Sequence, residues 1–420
     1  MNGAGHVVLV GGGLAGARMS EALREEGHDG PITLVGAEAH RPYERPPLSK
    51  GRLLGSAQRE SVFVHPEGWY AANDVELRLS TQATGLDTAA QQVVLDDGDR
   101  LHYDRLFLAP GAVPRPLPVP GADALQPLYL RTLDDSDRLR AALVPGARVV
   151  IVGGGWIGLE TAAAARTAGA EVVVLEHAEL PLLRVLGAEM ATLFAEVHRE
   201  HGVDLRCGVR IRGVRAAGPG APAAGAVLLA DGTEVAGDVV LVGVGVTPEV
   251  GLARGAGLTV DDGIVVDDRM QTSDPRIFAA GDVANAFHPL LGRHIRVEHW
   301  ANALNQPAVA ARAMLGLPGS YDRLPYFFSD QYDLGMEYTG YVVPGGYDRV
   351  VVRGDLATRE FVAFWLAGGR VQAGMNANVW DVTGPIGDLV RSGQPVDPDR
   401  LADPSVPLTE LIPGGTREGS

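Results

Sequence analysis

Two stretches of the chain carry the same succession of features: a short unbroken apolar run, a cluster of glycines, then an Ala-, Leu- and Glu-containing run with helical spacing. The first is Val7-Val8-Leu9-Val10 followed by Gly11-Gly12-Gly13-Leu14-Ala15-Gly16. The second is Val149-Val150-Ile151-Val152 followed by Gly153-Gly154-Gly155-Trp156-Ile157-Gly158, 142 residues further on, with its helix expected over Leu159 to Ala168. An apolar run with no polar alternation reads as a strand buried on both faces, the habit of parallel sheets covered by helices. A further apolar run follows each copy, Ile32–Val35 and Val172–Leu175, and each of these ends near an acid, Glu38 and Glu176. The pattern predicts an α/β fold with two Rossmann-like dinucleotide-binding domains.

Each glycine in such a turn has its own task. The first (Gly11, Gly153) permits the tight turn, the second (Gly13, Gly155) lets backbone amides approach a pyrophosphate, and the third (Gly16, Gly158) lets helix and strand pack closely. The acid closing the second strand is placed to bind a ribose diol. In the first copy Ala37 or Glu38 takes that place, the turn Gly27 to Pro31 accounting for the longer spacing. In the second, Glu176 ends the strand directly, accepts a 2′-hydroxyl and repels a 2′-phosphate, and no arginine follows before Arg184. NADH is therefore favoured over NADPH.

A third signal comes late. Ile277-Phe278-Ala279-Ala280-Gly281-Asp282 is an apolar strand ending in Gly-Asp. Between the glycine turns, Pro114, Pro116, Pro118 and Pro120 make a stiff extended crossover, and Gly243 to Pro248 makes a return. The segment Ala216 to Ala226, rich in Ala, Gly and Pro, reads as a loose loop. Beyond residue 321 the pattern turns to alternating strands, Arg349–Arg353 and Glu360–Leu366, then helix, which predicts a small C-terminal α+β domain.

Length and charge narrow the function classes. At 420 residues two or three domains are expected, and 46% hydrophobic with 21% charged residues argues against disorder and against a fibrous chain. The net charge of −16 excludes the broad basic face that nucleic acid needs. Neither a signal-peptide pattern at residues 1–10 nor an apolar run of membrane-spanning length is found, so a soluble cytoplasmic protein with no membrane partner is expected. Cys207 is the single cysteine, which excludes an internal disulfide, a dithiol relay and a cysteine-ligated metal or cluster. No metal site is expected, and redox chemistry must use a bound cofactor. Of the 36 basic residues only Lys50 is a lysine. A site that needs a compact ammonium cannot accept a guanidinium, so the lone lysine reads either as chance or as the mark of a specific site.

Two glycine turns, the second inserted, with a late strand ending in Gly-Asp, resemble the two-dinucleotide flavoprotein reductases of the pyridine nucleotide-disulfide oxidoreductase superfamily. Within them, Arg41-Pro42-Tyr43-Glu44-Arg45-Pro46-Pro47-Leu48-Ser49-Lys50, Arg296-Val297-Glu298-His299-Trp300-Ala301-Asn302-Ala303 and Pro325-Tyr326-Phe327-Phe328-Ser329-Asp330-Gln331 resemble the NADH-dependent ferredoxin reductases of the putidaredoxin-reductase and dioxygenase-reductase type. The similarity runs from the first strand to Leu408.

The resemblance implies FAD held by Gly11, Gly13, Leu14, Ala15, Gly16, Ala37, Glu38, Arg45, Lys50, Ala83, Arg131, Asp282, Glu298, His299, Trp300 and Phe328. It implies NAD held by Gly153, Gly155, Trp156, Ile157, Gly158, Glu160, Glu176 and Gly243, and it gives Lys50 and Glu160 catalytic roles, the ammonium near the flavin N5 and the carboxylate facing lysine and nicotinamide. It divides the chain into an FAD domain (1–109 and 243–320), an NAD domain (110–242), a C-terminal α+β domain closing over the flavin (321–410) and a flexible tail (411–420). Two departures stand out. Pro110 replaces a common threonine, removing a hydroxyl, and Phe328 replaces a common tryptophan, keeping the aromatic wall without its N–H.

The implied reaction is hydride transfer from NADH to FAD, then single-electron transfers to an iron-sulfur ferredoxin that supplies a haem-thiolate monooxygenase or a ring-hydroxylating dioxygenase. A docking surface for an acidic ferredoxin would need local cations, and Arg293, Arg296 and Arg312 are the candidates. A disulfide reductase is excluded because the peptide around Lys50 has no cysteine, and a cysteine-based peroxidase because Cys207, read as an inert strand residue, falls in the inserted domain. A redox sensor similar to apoptosis-inducing factor shares many of these motifs and is the alternative.

Overall fold

The computed structural model describes residues 4–218 and 224–412. Residues 219–223, the centre of the expected loose loop, and 413–420, most of the expected tail, lie outside the described residues. The chain forms two compact units, one of residues 1–45, 58–113 and 246–325, the other of residues 46–57, 114–245 and 326–420.

The first unit is built on a five-stranded parallel sheet ordered Ile277–Ala279, Arg105–Leu108, Val7–Val10, Ile32–Val35, Val75–Arg78. Every residue of Val7–Val10 is buried, as an apolar run without alternation requires. The strand that leads into Gly281-Asp282 thus lies two places from the strand that feeds the first glycine turn, though 266 residues lie between Val10 and Ile277 along the chain. The helices Leu14–Glu25 and Trp300–Met314 pack on one another. A separate three-stranded antiparallel sheet begins at Ala83.

The second unit contains a four-stranded parallel sheet ordered Asp204–Arg206, Glu171–Leu175, Arg148–Val152, Val239–Val242, with the helix Trp156–Thr167 after its glycine turn. It also contains a five-stranded antiparallel sheet ordered Tyr326–Gln331, Leu334–Gly340, Arg370–Ala377, Glu360–Ala367, Arg349–Asp355. Phe361 to Leu366 are six consecutive buried residues because this sheet is covered on both faces. Phe361, Ala363 and Trp365 meet Leu186, Met190 and Phe194 of the helix Leu183–Glu200, while Val362, Phe364 and Leu366 meet Ile386 and Leu389 of the helix Thr383–Ser392. The helix Leu183–Glu200 breaks at Gly187 (φ 77°, ψ 176°), and the Trp365 indole donates to the carbonyl of Leu186 beside the break at 3.0 Å.

Cys207 follows the strand Asp204–Arg206 rather than lying in it; it is half-buried and packs against the core of the parallel sheet, where burial pushes its thiol upward.

Candidate functional site

The two glycine turns repeat each other in detail. Gly11 and Gly153 have φ of +124° and +107°, and a Cβ on either would collide with a carbonyl of the neighbouring strand end, Ala109 or Gly243. A Cβ on Gly16 or Gly158 would strike the carbonyl of Gly11 or Gly153, so helix and turn touch backbone to backbone. At Gly13 and Gly155, by contrast, a Cβ meets nothing within 4 Å. Both helices start there with no capping side chain and no acid in the first turn. Free amides, a positive helix end and open space together suit a pyrophosphate at each turn.

In the first unit Leu14 and Ala15 are buried at the helix start, and the Gly281-Asp282 turn lies against Ala15. Gln306, from the helix Trp300–Met314, accepts a bond from the Gly281 amide at 2.8 Å and pins that turn. Glu38 is held by Arg45 at 3.1 Å and by the Tyr43 hydroxyl, with the Arg45 guanidinium 5.5 Å over the Tyr43 ring. Ala37 directly precedes this cluster, whose tyrosine no motif reasoning singled out. Glu298 pairs with Arg296 at 2.6 Å. Desolvation lowers the His299 imidazole to about 4 against the opposing pull of Asp282, so the ring is neutral near pH 7. Trp300 opens its helix, and burial raises the carboxyl of Glu44 against the opposing influence of the Trp300 indole.

In the second unit the Glu176 carboxylate accepts from the Gly154 amide at 2.6 Å and the Ala178 amide at 2.7 Å, which fixes it at the glycine turn. Gly243 donates to Val152 at 2.8 Å and closes the turn from the adjacent strand. Ile157 is exposed at the helix start. The ring of Trp156 is packed edge-on against Phe194 (5.4 Å) and Phe327 (5.2 Å), so what this residue presents at the turn is its backbone. Arg131 lies just before the helix Leu133–Ala142, its amide bonded to Asp135.

The most constrained group of the second unit surrounds Glu160. Its side chain is 4% exposed and accepts from Lys50 Nζ at 2.7 Å, from Ser329 Oγ at 2.7 Å and from Ser49 Oγ. Lys50, 16% exposed, also stands 5.3 Å over the ring of Phe328, a cation–π distance. Three segments far apart in sequence thus converge on one carboxylate: the peptide 46–50, the first turns of the helix Trp156–Thr167 and the strand Tyr326–Gln331. Ser49 and Ser329 were not anticipated; their only sequence signal is adjacency to Lys50 and Phe328 inside the signature peptides.

Arg296 is 9% exposed and clamped between Glu298 and Asp262, and Arg312 is bonded to Glu26 and to the Pro318 carbonyl. Both guanidinium groups are already neutralised by neighbouring acids, so Arg293, Arg296 and Arg312 do not form an open basic cluster.

Among the described residues no helix is long and apolar enough to cross a membrane, and no group of three or more His, Cys, Asp or Glu could hold a metal ion. Residues 5–307 match the family model of pyridine nucleotide-disulphide oxidoreductases, and residues 326–412 match the reductase C-terminal model. The chain is 44% identical over 406 residues to the ferredoxin–NAD(+) reductase component of an anthranilate 1,2-dioxygenase system from Burkholderia cepacia, covering 96% of this chain and 98% of that one. It is 41% identical over 421 residues to putidaredoxin reductase from Pseudomonas putida, covering 100% and 99%. The crystal structure of a covalent putidaredoxin reductase–putidaredoxin complex superposes with a TM-score of 0.93 at 40% identity, covering 99% of this chain and 100% of that one. The chain belongs to the pyridine nucleotide-disulphide oxidoreductases, among the FAD-dependent ferredoxin–NAD(+) reductases.

Proposed function

We propose that this protein is an NADH-dependent ferredoxin reductase that holds FAD and passes electrons to an iron-sulfur ferredoxin, which in turn serves a haem-thiolate monooxygenase or a ring-hydroxylating dioxygenase. The observation that carries this reading is the pairing of two dinucleotide turns with one cysteine, a half-buried thiol whose pKa is raised by burial. With no thiol to receive electrons, the acceptor must be external. The relatives named for anthranilate dioxygenase and for putidaredoxin support the same class of partner.

When bound, FAD accepts a hydride from NADH and returns the electrons singly. The chain supplies binding, orientation and charge. In this reading the Gly13 and Gly155 turns hold the two pyrophosphates, Glu38 with Arg45 and Glu176 hold the riboses, and Ala83, Arg131, Asp282, Glu298, His299, Trp300 and Phe328 complete the flavin site. Lys50 presents one positive charge to the flavin edge, and Glu160 holds that ammonium in place. Residues 1–109 and 243–320 then act as the FAD domain, 110–242 as the NAD domain and 321–410 as the partner-facing domain, in the cytoplasm where NADH is the reductant. The reading is tested by steady-state reduction of an added iron-sulfur ferredoxin, NADH beside NADPH, with ferricyanide as control acceptor. Fast, NADH-selective ferredoxin reduction is expected; ferricyanide turnover without ferredoxin turnover would overturn the partner assignment and favour a sensor.

A further inference from the structure

Glu160 is the end point of a longer chain of buried polar groups. Ser329 Oγ, which bonds Glu160, itself accepts from Gln331 Nε2 at 3.1 Å. Gln331 Oε1 meets His198 Nε2 at 2.8 Å, and His198 Nδ1 meets the Tyr332 hydroxyl at 3.2 Å. Ser329, Gln331 and His198 are all buried. The chemistry of the groups sets every direction. An amide oxygen only accepts, so His198 carries its proton on Nε2, and a neutral imidazole then accepts at Nδ1 from the tyrosine O–H. Burial pushes His198 down to about 4, consistent with that neutral form. The bonds therefore all point one way, from Tyr332 through His198, Gln331 and Ser329 to the carboxylate. Bonds aligned head to tail polarise one another.

We propose that His198 is a positioning residue for Glu160, acting through Gln331 and Ser329: the aligned donors fix which carboxylate oxygen faces Lys50. His198 comes from the helix Leu183–Glu200 and the other members from the strand Tyr326–Gln331 and its next residue, so the chain also ties that helix to that strand. The inference rests on the reading of Lys50 and Glu160 as the pair that serves the flavin.

The single lysine makes the test direct. In holoenzyme grown on lysine labelled at Cε, one side-chain resonance reports Lys50 alone. His198→Phe keeps a ring and loses the donor; His198→Gln keeps a donor. The Phe variant is expected to shift the Lys50 resonance and to lower the limiting rate of flavin reduction by NADH about fivefold, the effect of one hydrogen bond, with the NADH dissociation constant unchanged. The Gln variant is expected to restore both. Gln331→Met, which cuts the chain at its middle, is expected to reproduce the Phe result and decides the matter should His198→Phe not fold. A Lys50 resonance that stays in place in the cut variants, or moves equally in His198→Phe and His198→Gln, overturns the proposal. Glu160→Gln separates the two readings. If it reduces flavin slowly while the cut variants do not, only the relay fails; if it too is unchanged, the role given to Glu160 fails.

Discussion

Replacing Glu160 by glutamine removes a charge and almost nothing else. The oxygen that receives Lys50 and Ser329 remains an acceptor in the amide, and the new NH2 group can donate to Ser49, whose hydroxyl is free to turn. The hydrogen-bond count is kept, so the loss is the difference between charge-assisted and neutral bonds, about 1–2 kcal/mol. It stays below the 3–5 kcal/mol roughly expected for stranding a fully buried charge, because the Lys50 side chain is 16% exposed and reaches water. If that energy holds the ammonium at the flavin edge, the limiting rate of flavin reduction falls about 5- to 30-fold, while flavin content stays at wild-type level. Anaerobic stopped-flow mixing with saturating NADH, following flavin bleaching, measures it. A rate within twofold of wild type, in protein with full flavin content, would refute the argument.

Other substitutions probe separate parts of the account. Glu176→Gln exchanges charge-assisted bonds to the Gly154 and Ala178 amides for weaker ones and removes the repulsion of a 2′-phosphate; the NADH-over-NADPH ratio of kcat/KM should fall roughly tenfold, and an unchanged ratio would contradict the role of that carboxylate. Gly187→Ala forces a side chain into φ 77°, ψ 176° and against the Tyr347 hydroxyl, so a loss of about 1–3 kcal/mol, read as an earlier denaturant midpoint, is expected. His198 protonates in the native state only near pH 4, whereas an unfolded imidazole takes its proton near 6.5. The unfolded chain therefore binds more protons between those values, and stability falls as pH drops through that window, by up to about 3 kcal/mol. His198→Phe should flatten this part of the stability-versus-pH curve, and an unaltered slope would assign it to other groups.

Features carried by local sequence were legible and those made by distant convergence were not. The strands Val7–Val10 and Arg148–Val152 and their glycine turns follow from contiguous residues, because burial on both faces and a tight turn leave few residue choices. The helix after the second turn starts at Trp156 rather than Leu159, since the glycine turn itself supplies its cap. Lys50 stood out by composition. Its partners in the polar chain did not: a serine, a glutamine and a histidine look like ordinary polar residues until folding brings Ser329 and His198 to the same buried path. The arginine cluster is closed for the converse reason: besides the adjacent Glu298, acids from distant segments, Asp262 and Glu26, neutralise Arg296 and Arg312. A strand over Glu360–Leu366 is legible in the sequence, but the helices that cover both faces of its sheet come from distant segments and are not.

The central claim is that electrons from NADH leave one at a time to an iron-sulfur ferredoxin. Counting reduced ferredoxin against NADH oxidised, in anaerobic mixtures of the FAD-loaded protein with excess ferredoxin, tests it most directly. The account predicts two reduced ferredoxins for each NADH, as conservation of electrons requires. NADH consumption with no reduced ferredoxin, the electrons remaining on the protein or appearing as peroxide once air is admitted, would contradict it.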